Sequence, residues 1–465
     1  MGAMIHFGTD GWRARLDGDF TEESVVRIAH ATGRIWSDQA RRTVYIGYDT
    51  RPEAARFART AAEVLAATGL TARLADRPVP TPALSWTVAA DPDACGGFMV
   101  TGSHHPSDYL GVKLRMADGG DGVSEWYDEL EGMIEPEPTE ERGPVELVDI
   151  SAAYAAHLAQ TVDRASIAAA GITAIVDPMY GAARGCLAEV LRNLGVTVQE
   201  IHAQEEPGWE DLRPEPIEPW VDGCERAVVG QGADLGLITD GDADRVGAVD
   251  DRGRYVSPQK ILALILDHMV KNRGAEGRVV LTVSSSALPR RVAAAHGCRV
   301  TIKPIGFKHL YEEMIKGDVI IAGEEAGGIG IPSHLLERDA MLCCLLLCEI
   351  VAEEGRSLSE LIDEMDARYG AHSFARRDLR LAPEAVESLR TLLPGLNPPE
   401  VAGMVPTAVS HLDGLRLEFP DESWLLLRPA GTEPVVRVYA EAPTIEQRDE
   451  LLEAGIEIAQ GGLST

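Results

Sequence analysis

The sequence predicts an α/β protein: three similar α/β domains with mixed, mostly parallel sheets, followed by a small C-terminal α+β domain. Two observations carry this. Short apolar runs that suit strands alternate with helical runs, and the alternation recurs three times. The chain then changes character and ends in closely spaced strands. In the first round, residues 44–48, 71–74, 97–100 and 112–114 read as strands, with 53–68 and 82–90 as helices between them. The second round supplies strands at 172–176, 196–201 and 235–238, and the third at 279–283, 299–302 and 319–321. The last stretch has strands at 415–419, 424–427 and 435–439, and a polar helix at 444–459. No strong sequence repeat accompanies the three rounds.

A Pro- and Glu-rich stretch at 135–144 reads as a linker, and junctions are expected near 252–257 and 369–377. The expected domains are therefore 1–143, 144–254, 255–371 and 372–465. A chain of 465 residues suits that number, at roughly 100–200 residues per domain. The formal net charge of -31 argues against nucleic acid and anionic lipid as partners. Any anionic ligand needs a local cluster of Arg and Lys against that background. Seven cysteines occur without a C-x-x-C pair, which speaks against a disulfide framework or a zinc site and for a reducing compartment. No basic-then-apolar leader is visible, Met1-Gly2-Ala3-Met4 reads as a cloning remnant before a native start at Met4, and no apolar run is long enough to span a bilayer. A cytoplasmic protein, monomeric or homodimeric, is expected.

In open α/β sheets ligands bind beyond the carboxyl ends of strands, so the chemistry just after each apolar strand is informative. Four loops stand out. The first is Thr101-Gly102-Ser103-His104-His105-Pro106, where a serine in a tight turn beside histidines is a candidate nucleophile with acid/base help. It lacks the glycine of a G-x-S-x-G elbow, and most such Ser-His pairs are only solvated. The second is Asp240-Gly241-Asp242-Ala243-Asp244-Arg245. Carboxylates at every second position can converge on one hard cation. An EF-hand would require glycine where Arg245 stands, and a solvated acidic turn does not explain a position directly after an apolar strand. The third, Gly323-Glu324-Glu325-Ala326-Gly327-Gly328, can accept hydrogen bonds from sugar hydroxyls at close backbone approach; alone it reads as a glycine-rich turn. The fourth, Arg428-Pro429-Ala430-Gly431-Thr432-Glu433-Pro434 with Arg437 beyond it, suits a phosphate cradle; the alternative is a hairpin turn with incidental arginines. No glycine pattern for ATP or NAD binding is present.

Together, and in this order, the four loops resemble the α-D-phosphohexomutase family, the phosphoglucomutases and phosphomannomutases. The resemblance runs from Phe7-Gly8-Thr9-Asp10-Gly11-Trp12-Arg13 to Ala440-Glu441, and includes Gly47-Tyr48-Asp49-Thr50-Arg51, Asp177-Pro178-Met179-Tyr180-Gly181 and Pro304-Ile305-Gly306-Phe307-Lys308. It implies four domains around a central cleft, the last of them able to swing. It places the phosphoserine at Ser103, with Mg²⁺ on Asp240, Asp242, Asp244 and a phosphoserine oxygen. It places a sugar-binding role on Glu324 and Ala326, and a phosphate-binding role on Arg428, Ala430, Gly431, Thr432 and Arg437. Three departures stand out. Gly102 and His105 replace the family's Ala and Asn, Ala326 replaces the sugar-loop Ser, and Ala430 replaces the phosphate-loop Ser. Each lost hydroxyl removes one neutral hydrogen bond, worth about 0.5–1.5 kcal/mol.

The implied activity is interconversion of hexose 6-phosphate and hexose 1-phosphate, of glucose or mannose, with hexose 1,6-bisphosphate as intermediate and activator. Arg13, Lys113 and Arg245 would stabilise the transferring phosphoryl group, and Lys113 or His104 would move the hydroxyl proton. With Lys303, Lys308, Arg428 and Arg437 these cations form the positive field that a sugar phosphate needs, and Gly306 belongs to the same substrate-binding set. Hexose phosphates are thus the expected partners. The alternatives are a phosphoglucosamine mutase, a hexose-bisphosphate synthase of the same family, and a sugar-phosphate sensor without activity.

Overall fold

The computed structural model describes residues 5–461 except 207, 210, 211, 432 and 433. Four sheets follow one another along the chain. The first contains β1 (Trp12–Arg15), β2 (Thr43–Tyr48), β3 (Thr71–Ala75), β4 (Ala94–Val100), β5 (Tyr109–Met116) and β6 (Val145–Val148), in the order β1-β5-β4-β2-β3-β6. The second contains β7 (Thr173–Asp177), β8 (Thr197–Glu200), β9 (Leu235–Thr239), β10 (Val246–Asp250) and β11 (Tyr255–Val256), in the order β11-β10-β9-β7-β8. The third contains β12 (Arg278–Thr282), β13 (Arg299–Lys303), β14 (Val319–Gly323) and β15 (Ile329–Gly330), in the order β13-β12-β14-β15. The last contains β16 (Ser373–Arg380), β17 (Ala408–Ser410), β18 (Leu415–Glu418), β19 (Trp424–Pro429) and β20 (Val435–Ala442), in the order β16-β20-β19-β18-β17, antiparallel throughout.

The first three sheets share one topology. In each, three parallel strands are followed by a strand that turns back antiparallel beside the third: β5 beside β4, β10 beside β9, and β15 beside β14. Each parallel core is buried along its length, as for β2, β4, β9, β12 and β14. Helices cover these sheets, as continuous apolar strands require. The helix Glu22–Ser37 begins in a capping box formed by Thr21 and Ser24. The helix Ala340–Glu354 is buried for most of its length, and Cys343, Cys344 and Cys348 pack in it as small apolar groups.

Two places differ from the sequence expectation. The first sheet continues past residue 143, because β6 pairs in parallel with β3, Ala72 opposite Val145. The Pro- and Glu-rich linker loops out and the chain returns to close that sheet's edge. The expected junction at 369–377 is largely strand: β16 pairs with β20 over eight residues, from Ser373 opposite Ala442 to Arg380 opposite Val435. Its alternation is masked by polar side chains on a strand with only one covered face.

Candidate active site

The serine loop links β4 to β5, and a neighbouring loop fixes its shape. Asp49 accepts from Thr101 Oγ1 (2.7 Å) and from Gly102 N (3.2 Å), and it is ion-paired with Arg51. Arg51 Nη2 donates to Ser103 O at 2.7 Å. A Cβ on Gly102 would lie 2.6 Å from Arg51 Nε and from Tyr109 O, so the turn needs glycine there. His105 Nδ1 bonds Gly102 O at 3.2 Å and closes the turn from the other side. Ser103 is held at φ 51°, a conformation non-glycine residues seldom adopt, and is fully buried. Its Oγ donates to Asp240 Oδ2 at 3.0 Å and lies 3.5 Å from His104 Nδ1.

Asp240, Asp242 and Asp244 are fully buried, and their ligand atoms lie within 4.8 Å of one another. Asp240 Oδ1 accepts from the backbone N–H of Asp244 (3.0 Å) and of Arg245 (3.1 Å), which closes the loop on itself. Thr81 Oγ1 donates to Asp242 at 2.6 Å from the start of the helix Thr81–Ala90. Lys113 Nζ, on β5, pairs with Asp242 (2.7 Å), Asp244 and Asp10 (3.1 Å). Arg338 Nη2 pairs with Asp10 and Asp244, each at 2.7 Å.

Two observations bear on a metal ion. Asp242 Oδ1 and Asp244 Oδ1 are buried without a hydrogen-bond partner. Burial, then the charges of Asp242 and Asp244, push the Asp240 carboxyl well above its ordinary range. Three clustered carboxylates with orphaned oxygens fit a hard dication that takes oxygen ligands.

Over this floor lies a cleft of about 820 Å³, walled by all four sheets' loops. Arg13, His104, Arg245, Gly306, Lys308, Glu324, Ala326, Arg428, Ala430, Gly431 and Arg437 line it. Arg428 and Arg437 stand directly opposite each other on β19 and β20. Like charges in that arrangement repel, and Asp413 offsets one of them by accepting from Arg428 Nε at 2.8 Å. Arg13 Nε, Arg245 Nε and Arg437 Nε are buried without a hydrogen-bond partner. Unfilled guanidinium donors around one cavity suit an anionic ligand.

Glu324 Oε1 accepts from Gly306 N at 3.1 Å, and burial lifts its carboxyl to about 7. Gly327 N and O belong to the same turn, and Val246 N donates to Gly327 O at 3.0 Å, so the sugar loop is tied to the metal loop. Burial, then the charge of Arg245, drives the His104 imidazole well below its ordinary range. For Lys113, burial acts to lower the ammonium's proton affinity, but Asp10, Asp242 and Asp244 outweigh it and the group is raised.

Most of the sequence-selected residues thus meet in one place. Lys303 is an exception: its Nζ turns to the helix Phe307–Met314, 3.1 Å from Glu313, and it is not part of the cleft wall. A pair with an adjacent carboxylate on its own unit draws it away. Thr432 lies outside the described residues. Glu325, the second carboxylate of the sugar loop, also lines the wall, and four residues that the sequence reading gives no role, Asp10, Glu215, Arg338 and Arg376, reach the floor or wall as well. Asp10 stands in the quoted Phe7–Arg13 motif, and Arg338 is flanked by Glu337 and Asp339 ahead of a long apolar helix. A charged triplet before such a helix is the one local signal for Arg338.

Similarity to known proteins agrees with this geometry. The phosphoglucomutase/phosphomannomutase alpha/beta/alpha domains I, II and III match residues 4–140, 152–253 and 257–369, and the C-terminal domain of that family matches 399–457. A phosphoglucomutase/phosphomannomutase of Thermococcus kodakarensis is 30% identical, with 98% of this chain and 99% of that protein covered. A probable phosphoglucosamine mutase of Methanopyrus kandleri is also 30% identical, with 98% of each covered. The crystal structure of a putative phosphomannomutase from Thermus thermophilus superimposes with a TM-score of 0.89 at 35% identity, over 99% of this chain and all of that one. Four matching domains in order, around one cleft, show that the chain belongs to the phosphoglucomutase/phosphomannomutase family of isomerase-class phosphotransferases.

Proposed function

We propose that the protein interconverts hexose 6-phosphate and hexose 1-phosphate, with glucose or mannose as the sugar, through phospho-Ser103 and a hexose 1,6-bisphosphate intermediate. The observation that carries this reading is the placement of Ser103 Oγ, 3.0 Å from Asp240 in the carboxylate cluster and beneath an arginine-lined cleft. Magnesium bound by Asp240, Asp242, Asp244 and a phosphoserine oxygen would withdraw charge from the transferring group.

The chain's own residues supply the rest. The P–O bond to Ser103 breaks as a new P–O bond forms to a sugar hydroxyl, and the hydroxyl proton passes to a base. His104 suits that role: its ring faces the cleft, lies 3.5 Å from Ser103 Oγ, and stays neutral at ordinary pH. Lys113, held charged among three carboxylates, suits charge stabilisation and the alignment of the aspartates. Arg13 and Arg245 face the transferring oxygens. Arg428 and Arg437, with the backbone at Ala430 and Gly431, hold the phosphate that is not reacting. Glu324 accepts from ring hydroxyls. The bisphosphate then turns end over end and returns its other phosphate to Ser103.

One observation favours glucosamine as a second reading. Glu324 and Glu325 are both nearly buried in the cleft wall, and an amino group on the sugar ring would meet carboxylate there. The test is a coupled assay on glucose, mannose and glucosamine 1-phosphates with Mg²⁺ and a trace of glucose 1,6-bisphosphate. Turnover of glucose or mannose phosphate above the others supports the first reading, and preference for the amino sugar supports the second. Tight binding of all three without isomerisation would leave a sensor and overturn both.

A further inference from the structure

Between β8 and the helix Asp222–Gln231, Trp209 and residues 213–216 form a strap against neighbouring loops. It touches three functional loops. Trp209 is buried under the Arg51 guanidinium, 4.6 Å from ring to carbon, and Arg51 holds the serine turn. Arg213 Nε donates to His104 O at 3.3 Å. Pro214 packs on the metal loop, where a Cβ on Gly241 would come 3.4 Å from Pro214 Cγ. Pro216 O sits where a Cβ on Gly247 would be, 2.5 Å away, so glycine on β10 lets the strap lie flat on that strand.

Glu215 is the charged centre of the strap, only 2% exposed and in the cleft wall. One oxygen lies 3.2 Å from Arg213 Nε, and the other lies 3.7 Å from Nη2 of Arg376 on β16. Among the described residues this is the one ion pair that joins the last sheet to the two units carrying the serine and metal loops. Among the described residues the other ion pairs and side-chain hydrogen bonds from the last sheet to the first three units go to the third, as from Arg416 to Val283 O and from Ser286 to Glu441. At 3.7 Å the pair is beyond hydrogen-bond length and has room to tighten.

We propose that Glu215 is a positioning residue that couples the seating of the last domain to the serine loop. Arg376 approaches Glu215 as the last domain draws in around the distal phosphate, which closes the wall that retains the bisphosphate while it turns. The same carboxylate steadies Arg213, and through it the backbone of His104. The inference rests on the phosphoserine reading above.

The test follows glucose 1,6-bisphosphate released per turnover by the full-length Mg²⁺-loaded protein, with kcat and KM from the same runs. Glu215→Gln is expected to raise the released bisphosphate about tenfold, the effect of one lost ion pair in a closed wall, and to lower kcat more than it raises KM. Arg376→Gln should do the same, and the double variant should match either single one. Effects that add, or a release equal to wild type in either variant, overturn the proposal. Should Glu215→Gln fail to fold, Arg376→Gln alone reads the same partition with the same criterion. Failure of the phosphoserine reading would show separately, as no phosphate on Ser103 in the wild type.

Discussion

The buried carboxyl of Glu324 ties the pH dependence of stability to that of the proposed activity. Burial raises its carboxyl from the ordinary 4.5 to about 7. The folded protein therefore binds a proton there between these two values that the unfolded chain does not. Stability from this group is lost as pH rises through that window, and is recovered as pH falls. On the proposed reading activity should run the other way, since the carboxylate is the stronger acceptor from sugar hydroxyls and the protonated acid keeps only part of that capacity. kcat/KM is expected to decline below about pH 7. Glu324→Gln should flatten that limb, lower kcat/KM at least about tenfold, and raise unfolding free energy at pH 8 by about 1–3 kcal/mol. Chemical denaturation and pH–rate profiles check both halves. At this scale the sequence was readable where partners are neighbours in the chain. Asp240, Asp242 and Asp244 announce themselves by spacing. Arg338 does not, because its partners Asp10 and Asp244 lie far off in sequence and only the folded chain brings them together. Lys303 carries the right charge, but Glu313 on the following helix captures it.

At the level of elements, each of the first three sheets places its functional loop at the same point, between its third parallel strand and the strand that turns back: β4 to β5, β9 to β10, β14 to β15. The loops were legible because an apolar run stops abruptly at polar chemistry. The shared topology was not, because β15 has only two residues and the loop lengths differ. The loops are also fitted to one another. A Cβ on Gly241 would lie 2.3 Å from Ser103 O, so the metal loop sets the height of the serine loop. Gly241→Ala should push Ser103 away and lower the rate of phosphoryl transfer about 100-fold, the cost of a misplacement near 1 Å. A single-turnover measurement from phosphorylated enzyme reads this directly, and unchanged transfer would mean that the two loops move independently. The edge strand β6 escaped the sequence reading because it follows a linker, and β16 because its exposed face is charged.

For the whole molecule, the net charge of -31 disfavours an anionic ligand everywhere except where cations cluster, and the arginines gathered in the cleft supply that local positive field. No helix among the described residues is long and apolar enough to cross a membrane. Mg²⁺ that binds the folded carboxylate cluster and not the unfolded chain should raise the unfolding temperature, by the equivalent of about 2.7 kcal/mol at 100 times its Kd. Asp240→Asn should keep the metal-free stability, since an amide resembles the protonated carboxyl, and should lose most of that rise. Thermal unfolding with and without Mg²⁺ distinguishes the two. The central claim is that Ser103 carries the phosphate. The most direct measurement is mass-spectrometric mapping of the phosphorylated residue after incubation with glucose 1,6-bisphosphate and Mg²⁺, alongside mutase activity of wild type and Ser103→Ala. Phosphate on Ser103, with activity that collapses by at least about 1,000-fold in the variant, is the predicted result. Phosphate on another residue, or a Ser103→Ala protein that still isomerises hexose phosphates at the wild-type rate, would contradict it.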